Sequence, residues 1–176
     1  MASIKDLTPG TWNIDSTHSE ISFVARHLMV TKVRGKFTEY TATTEVAEPV
    51  ENSTVEFTVQ TASFDTGNAE RDGHVKSGDF FDVEKYPTMT FKATTITDDE
   101  ITGDLTIKGV TKPATFSYDF NGVATDPWGG TRAGFEASGE INRTDFGMTF
   151  NAALESGGVM ISEKIKINLD LEFVKA

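Results

Sequence analysis

A two-residue alternation of apolar and polar side chains recurs about eight times along this chain, and few folds accommodate it. From Ile101, the residues Ile101, Gly103, Leu105 and Ile107 alternate with Thr102, Asp104, Thr106 and Lys108. From Ile165, the residues Ile165, Ile167, Leu169, Leu171 and Phe173 alternate with Lys166, Asn168, Asp170 and Glu172. Similar runs start at Ile21, Thr54, Met89, Ala114 and Ala133, and a less regular one covers Lys36 to Val46. A period of two sends successive side chains to opposite faces, so each run predicts a strand with one wet face and one buried face. Turn residues separate several runs: Asp98-Asp99, Gly109, Asp126-Pro127 with Gly129-Gly130, and Gly157-Gly158. Short connections imply sequential antiparallel pairing. The expected fold is all-β, a closed antiparallel up-and-down barrel of about eight strands, which leaves no edge exposed. A two-sheet sandwich is the alternative.

Length and composition set the remaining bounds. The 176 residues suit one domain spanning 1–176, with no linker or repeat to divide it. The chain has no cysteine, which excludes disulfides, thiolate metal sites and cysteine nucleophiles. A net charge of -11 opposes nucleic acid and anionic membrane surfaces as partners. No apolar run reaches the length of a membrane span. The start, MASIKDLTPGTW, has no apolar core of a secretory signal. The expectation is a cytoplasmic protein without a stable membrane anchor, unless a leader has been replaced.

One stretch breaks the alternation. Asn68 to Lys76 reads as a short helix, with Asn68 as its cap. The adjacent Phe80 and Phe81 follow a Gly78-Asp79 break, and Tyr86-Pro87 forces an extended exit. A helix and a paired aromatic anchor between strands predict a plug over one end of the barrel. The pattern R-x-x-H-x-x-S-x-D-F-F-D-x-x-x-Y-P-x-x-x-F, Arg71 to Phe91, resembles the signature of the YceI-like family. Trp12 to Phe23, Leu105 to Pro113, DPWGGTRAGF from Asp126 to Phe135, and INRTDFGM from Ile141 to Met148 extend the resemblance. It implies a lipocalin-like barrel that binds an isoprenoid lipid non-covalently, with a homodimer as a partner state to test. Many members of that family are exported, and the start of this chain departs from that pattern.

The inward faces alternate phenylalanine with very small residues: Ala25, Ala93, Ala114, Ala133, Ala137, Gly103 and Gly139. Read alone, this pattern fits a tunnel walled by phenylalanine, or a filled barrel in which facing side chains occupy the gaps. The resemblance favours the tunnel. It also implies wall or rim roles for Phe23, His27, Phe80, Phe81, Tyr86, Phe91, Phe135, Phe146 and Met148. Polar-end roles fall to Arg71, His74, Ser77 and Asn142.

The three histidines carry no metal-ligand spacing: His18 and His27 have opposite parity in a straight strand, so no metal or other cofactor is expected. Arg71, His74 and Ser77 share one helix face, where a network tying the plug to the barrel competes with a head-group contact. No G-x-S-x-G elbow is present, and Ser77 lies too near Asp79 to form a convergent triad easily. The expectation is a binding protein and not an enzyme. A lipid-modifying enzyme using His74 or His27, and a stress-related interaction protein with a filled barrel, are the rival classes. Trp12 and Trp128 read as end-packing residues, and Asn142, Arg143 and Asp145 at a strand end read as a turn or as part of a rim with Phe146 and Met148.

Overall fold

Each alternating run forms a strand and turns its apolar row inward. The computed structural model describes residues 2–152 and 160–176, so the Gly157-Gly158 turn lies outside the described residues. Eleven strands form one antiparallel sheet among them: β1 (Gly10–Ile14), β2 (Glu20–His27), β3 (Thr31–Phe37), β4 (Tyr40–Val46), β5 (Thr54–Gln60), β6 (Phe64–Asp65), β7 (Thr88–Ile96), β8 (Glu100–Ile107), β9 (Val110–Thr125), β10 (Thr131–Asn142) and β11 (Lys164–Lys175). The sheet closes because β11 pairs with β10 along one edge and with β1 along the other. On that second edge β2 follows β1, with Lys166 opposite Val24 and Trp12 opposite Lys175. β1 with β2, β3 with β4, and β5 with β6 are therefore three long staves, each interrupted once. The wall has eight staves in up-and-down order, as the alternation predicts, and the sandwich is excluded.

The interruptions explain where the sequence pattern is least regular. β1 and β2 are split by a helical turn at Ser16–His18, and β5 and β6 by another at Thr61–Ser63. The stave of β3 and β4 breaks at residues 38–39, inside the untidy Lys36–Val46 run. Beyond Gln60, β6 pairs only with β3, while β7 first meets β5 at Thr88. The helix α1 (Ala69–Val75) and residues 76–87 occupy this gap. Asn68 caps α1 as expected, accepting a bond from the Arg71 amide at 3.0 Å.

The plug is tied down at both flanks. The buried Asp72 carboxylate accepts from the Thr66 amide at 3.0 and 3.1 Å and from its hydroxyl at 2.5 Å. Thr61, also buried, donates its hydroxyl to the Tyr86 carbonyl at 2.8 Å. Lys108 Nζ reaches the Gly78 carbonyl at 2.9 Å.

The opposite end is closed by packing. Ile4, Trp12, Val46, Val50, Ala133 and Phe173 form a buried cluster there, and Trp12 Nε1 donates to the Thr8 carbonyl at 3.0 Å. Trp128 departs from the expectation of end packing. It sits on the β9–β10 turn and is 87% exposed.

The inward glycines also depart from the sequence reading. They do not leave room, because aromatic rings lie on them. A Cβ on Gly103 would sit 2.3 Å from the Lys92 carbonyl oxygen and 2.7 Å from Phe91, and one on Gly139 would meet Phe116 at 2.7 Å. Rings covering backbone in this way restore the packing that a glycine forfeits in a strand.

Arg132 locks the β1–β2 break. Its Nη1 donates to Asp15 at 2.8 Å and Glu172 at 2.9 Å, and its Nε to Asp126 at 2.9 Å. Hydrogen bonds from Thr17, His18 and Arg132 hold the Asp15 carboxyl well below the usual carboxylate range. A depressed folded-state pKa contributes stability that is present above the unfolded value of about 3.9 and is lost as pH falls through the folded value. Urea midpoints measured against pH should therefore fall on acidification below about pH 4. The Arg132→Met variant should start lower at neutral pH and show a flatter acid limb. Gly103→Ala should lower the unfolding free energy by about 1–3 kcal/mol, because its methyl group meets backbone that cannot yield. A wild-type urea midpoint for that variant would show that the wall relaxes around the contact.

Candidate functional site

The closed wall surrounds a partly open cavity of about 850 Å³, lined from every stave. It runs from Ile4, Leu7 and Trp12 at the packed end to Asn68, Glu70, Arg71 and His74 at the plug. That volume is in the upper part of the usual range for small-molecule sites. Its walls are overwhelmingly apolar: Phe57, Val59, Phe91, Leu105, Phe135, Ala137, Ile167 and Leu171 all face it. Several of these, including Phe57, Phe135, Ile167 and Leu171, are only half-buried although they point into the barrel. In a filled barrel the same parity would bury them completely. The space lies between the rings, beside Ala25 and Ala137, and not at the glycines.

The buried polar groups at the wall are already satisfied by the protein. Tyr118 donates its hydroxyl to the Thr97 carbonyl, and burial with Asp98, Asp99 and Glu51 nearby pushes its phenol up to about 12. Trp12 spends its only donor on Thr8. Arg143, 3% exposed, spreads its guanidinium over four carbonyls: Ser162 at 2.8 Å, Met148 at 2.6 Å, Phe150 at 2.9 Å and Ile161 at 3.3 Å. Burial pulls the Arg143 pKa down, opposed by Glu163. No buried side-chain nitrogen or oxygen lacks a hydrogen-bond partner among the described residues. A wall with so few open donors or acceptors suits an apolar guest, which asks for contact area and little else.

Nine of the thirteen candidate residues line this cavity: Phe23, His27, Arg71, His74, Phe80, Phe81, Phe91, Phe135 and Met148. Phe23, Phe37, Phe64 and Phe81 form a linked aromatic group beside the plug, with ring centroids 5.0–5.9 Å apart. Arg71 is latched to Thr66 by Nε at 2.7 Å and Nη2 at 3.2 Å, which favours its tying role. His74 Nε2 meets Asp79 at 2.8 Å, and its ring lies edge-on to Phe80 and Phe150.

The other four candidates stand apart from the cavity wall. Ser77 donates its hydroxyl to the His74 carbonyl, not to the imidazole, so the nucleophile–base contact of a hydrolase is not made. Asn142 caps the following turn by accepting from the Thr144 amide and hydroxyl. Tyr86 packs against Gly109 on the β8–β9 turn. Phe146 is fully buried in the cluster around Phe80 and Phe116.

Away from the cavity, Asp15, His18 and Glu172 bring their ligand atoms within 4.8 Å of one another, the spacing a metal ion needs. Arg132 already donates to both carboxylates, so a cation occupies the centre of that group. No helix is long and apolar enough to cross a membrane among the described residues.

Comparison with known proteins agrees with this architecture. The chain matches the YceI-like domain over residues 12–173. The chain belongs to the YceI-like family. It is 39% identical over 165 residues to a UPF0312 protein of Staphylococcus aureus, covering 92% of this chain and 96% of that one. A UPF0312 protein of Staphylococcus epidermidis is 40% identical over 164 residues, with the same coverage. The Campylobacter jejuni YCEI protein has a similar structure, with a TM-score of 0.72 at 31% identity, covering 86% of this chain and 90% of that one. A polyisoprenoid binding domain from Saccharophagus degradans shares the fold at 15% identity, with a TM-score of 0.73 over 94% of this chain and 98% of that one.

In this YceI-like barrel, Arg143 is the wall residue that the sequence reading passed over as part of a turn. Its signal was the parity of β10, since Arg143 is the next member of the inward row Ala137, Gly139, Ile141. It staples the chain after β10 to residues 161–162, which lead into β11. Arg143→Met keeps the bulk and strands three carbonyls, since that of Ile161 still accepts from Asn151 at 2.7 Å. It should cost about 2–4 kcal/mol in urea unfolding. Arg143→Lys should recover only a fraction of that, because an ammonium does not reproduce the planar fork.

Proposed function

We propose that this protein binds a long isoprenoid lipid, of polyprenyl or isoprenoid quinone type, non-covalently inside the barrel, for storage, sequestration or transport. The observation that carries the reading is the cavity of about 850 Å³, whose walls are predominantly apolar and whose buried polar groups are already hydrogen-bonded. The Saccharophagus degradans domain, described as polyisoprenoid-binding, has the same fold and lends support. Burying one five-carbon unit is worth on the order of 3 kcal/mol gross, part of which is offset by ordering the guest. Several units in one tunnel therefore give firm binding without a catalytic group. The tail lies along Phe57, Phe135 and Leu171, and the polar end lies toward Asn68, Arg71 and His74 at the plug. The role is binding and not catalysis.

Organic extraction after native mass spectrometry tests the reading directly, and protein that carries no lipid and takes up none after delipidation would contradict it. Substitution locates the guest. Ala137→Phe places a ring in the cavity and should abolish uptake of a polyprenyl lipid while leaving the melting temperature of empty protein almost unchanged. Were the barrel packed solid, the same ring would cost about 1–3 kcal/mol. Ser138→Phe, one residue on and outward by register, should bind as wild type.

A further inference from the structure

The hairpin joining β2 to β3 holds three large apolar side chains in water. Leu28 is 39% exposed, Met29 53% and Val30 74%. The turn is also made from unsuitable residues. Leu28 and Met29 have φ of +53° and +61°, and the Val30 amide bonds back to the His27 carbonyl at 3.1 Å. Two central residues of positive φ are the ordinary place for Asn-Gly, and bulky side chains are strained there. The tip thus combines backbone strain with exposed apolar area, neither of which stabilises the barrel. Such a combination persists where the exposed side chains have a role of their own.

The charge around the tip runs against the rest of the chain. Acidic residues outnumber basic ones 27 to 16 overall, yet none lies between Glu20 and Glu39, a segment that carries Arg26, Lys32, Arg34 and Lys36. The pairing of Arg26 with Lys32, Val24 with Arg34 and Ser22 with Lys36 puts these cations on one face of the hairpin. Lys166 joins that face opposite Val24. None of these five cations forms an ion pair among the described residues. Directly below the tip, His27 and Val33 line the cavity. An apolar tip, a cationic collar and the end of the lipid cavity therefore occupy one corner of the molecule.

We infer that the β2–β3 hairpin docks this protein reversibly on an anionic lipid bilayer. Leu28, Met29 and Val30 insert at the boundary between head groups and acyl chains, and Lys32, Arg34 and Lys36 contact anionic head groups. The inference rests on the lipid-binding reading of the cavity, because docking sets the plug end of the barrel against the source of its guest. The overall charge of -11 does not forbid it. Fields are screened over about 8 Å at physiological ionic strength, so the hairpin's own cations govern once it leads the approach. On the same face Asp65 lies opposite Lys36 and Glu140 opposite Lys166, away from the tip, so the end that carries Lys32 and Arg34 leads.

Co-sedimentation with vesicles tests the docking. The full chain should sediment with phosphatidylcholine vesicles containing phosphatidylglycerol as a minor component, much less with phosphatidylcholine alone, and less as potassium chloride rises. Leu28→Asn/Met29→Gly/Val30→Thr installs the residues the turn prefers, so this variant should melt no lower than wild type. It should lose vesicle binding by about tenfold or more. Lys32→Glu/Arg34→Glu should lose it to a similar extent with the apolar tip intact. Both variants should take up a detergent-dispersed polyprenyl lipid as wild type does, since none of these residues lines the cavity. Absence of wild-type binding to the anionic vesicles, or wild-type binding by the Asn-Gly variant, would overturn the docking. So would a hairpin that ignores vesicles and instead captures an acidic protein. Failure of the cavity reading would register separately, as a lack of uptake of the dispersed lipid by every variant.

Discussion

The pairing of β11 on both edges is the interaction on which the rest of this structure depends. Along one edge it matches β10 from Asn142 to Arg132, and along the other it meets β2 and then β1. A barrel that keeps space at its centre lacks the through-core contacts of a packed domain. Its rigidity must come from an unbroken ladder and from solid ends. The ladder satisfies the backbone all the way round, and the cluster of Trp12, Val46 and Phe173 anchors one end. With both in place, the wall keeps its cavity although Phe57 of β5 and Phe135 of β10 meet Phe173 of β11 at the packed end.

The three interrupted staves make this closure compatible with a lid. Each break lets a strand change direction, and Arg132 stiffens one break by gathering Asp15, Asp126 and Glu172 around a single guanidinium. The β5–β6 break leaves β6 only two residues long, and that shortfall creates the gap the plug fills. Asp72 and Arg71, neighbours on the plug, both reach Thr66, so the helix is registered to the rim by a single threonine. Polar side chains do here what ladder bonds do elsewhere.

The sequence was most legible where one physical rule acts alone. Period-two alternation fixes which side chains face inward, and the rows from Ile21, Ile101, Ala133 and Ile165 all keep their parity in the structure. The short helix was legible because its cap is local, Asn68 to Arg71. Legibility failed where two distant segments share a space. Gly103 and Gly139 looked like vacancies, and only the three-dimensional positions of Phe91 and Phe116 show them filled. Arg143 looked like a turn residue because its four acceptors come from residues 148–162, which no local pattern connects to it. Asp72 gave no signal either, since an acid in the first turn of a helix already has a local explanation in the helix dipole. Trp128 was misplaced because size and aromaticity suggest burial, while a tight turn around Asp126 lifts it clear.

If the cavity takes a long lipid as proposed, the gap between β6 and β7 bears on how that guest enters. A closed tube must be threaded from one end, so every unit of a chain has to slide past the same constriction. Beyond Gln60 the stave of β5 and β6 shares no ladder with β7, since β6 bonds only β3 and the β5–β7 ladder ends at Gln60 and Thr88. Lifting the plug breaks the side-chain bonds that fasten it and the backbone bond from the Thr61 amide to the Pro87 carbonyl, and leaves the strand pairing of both staves intact. On the proposed reading, the plug is the removable part of the wall, and a chain laid in sideways there has its length set free from the width of the doorway.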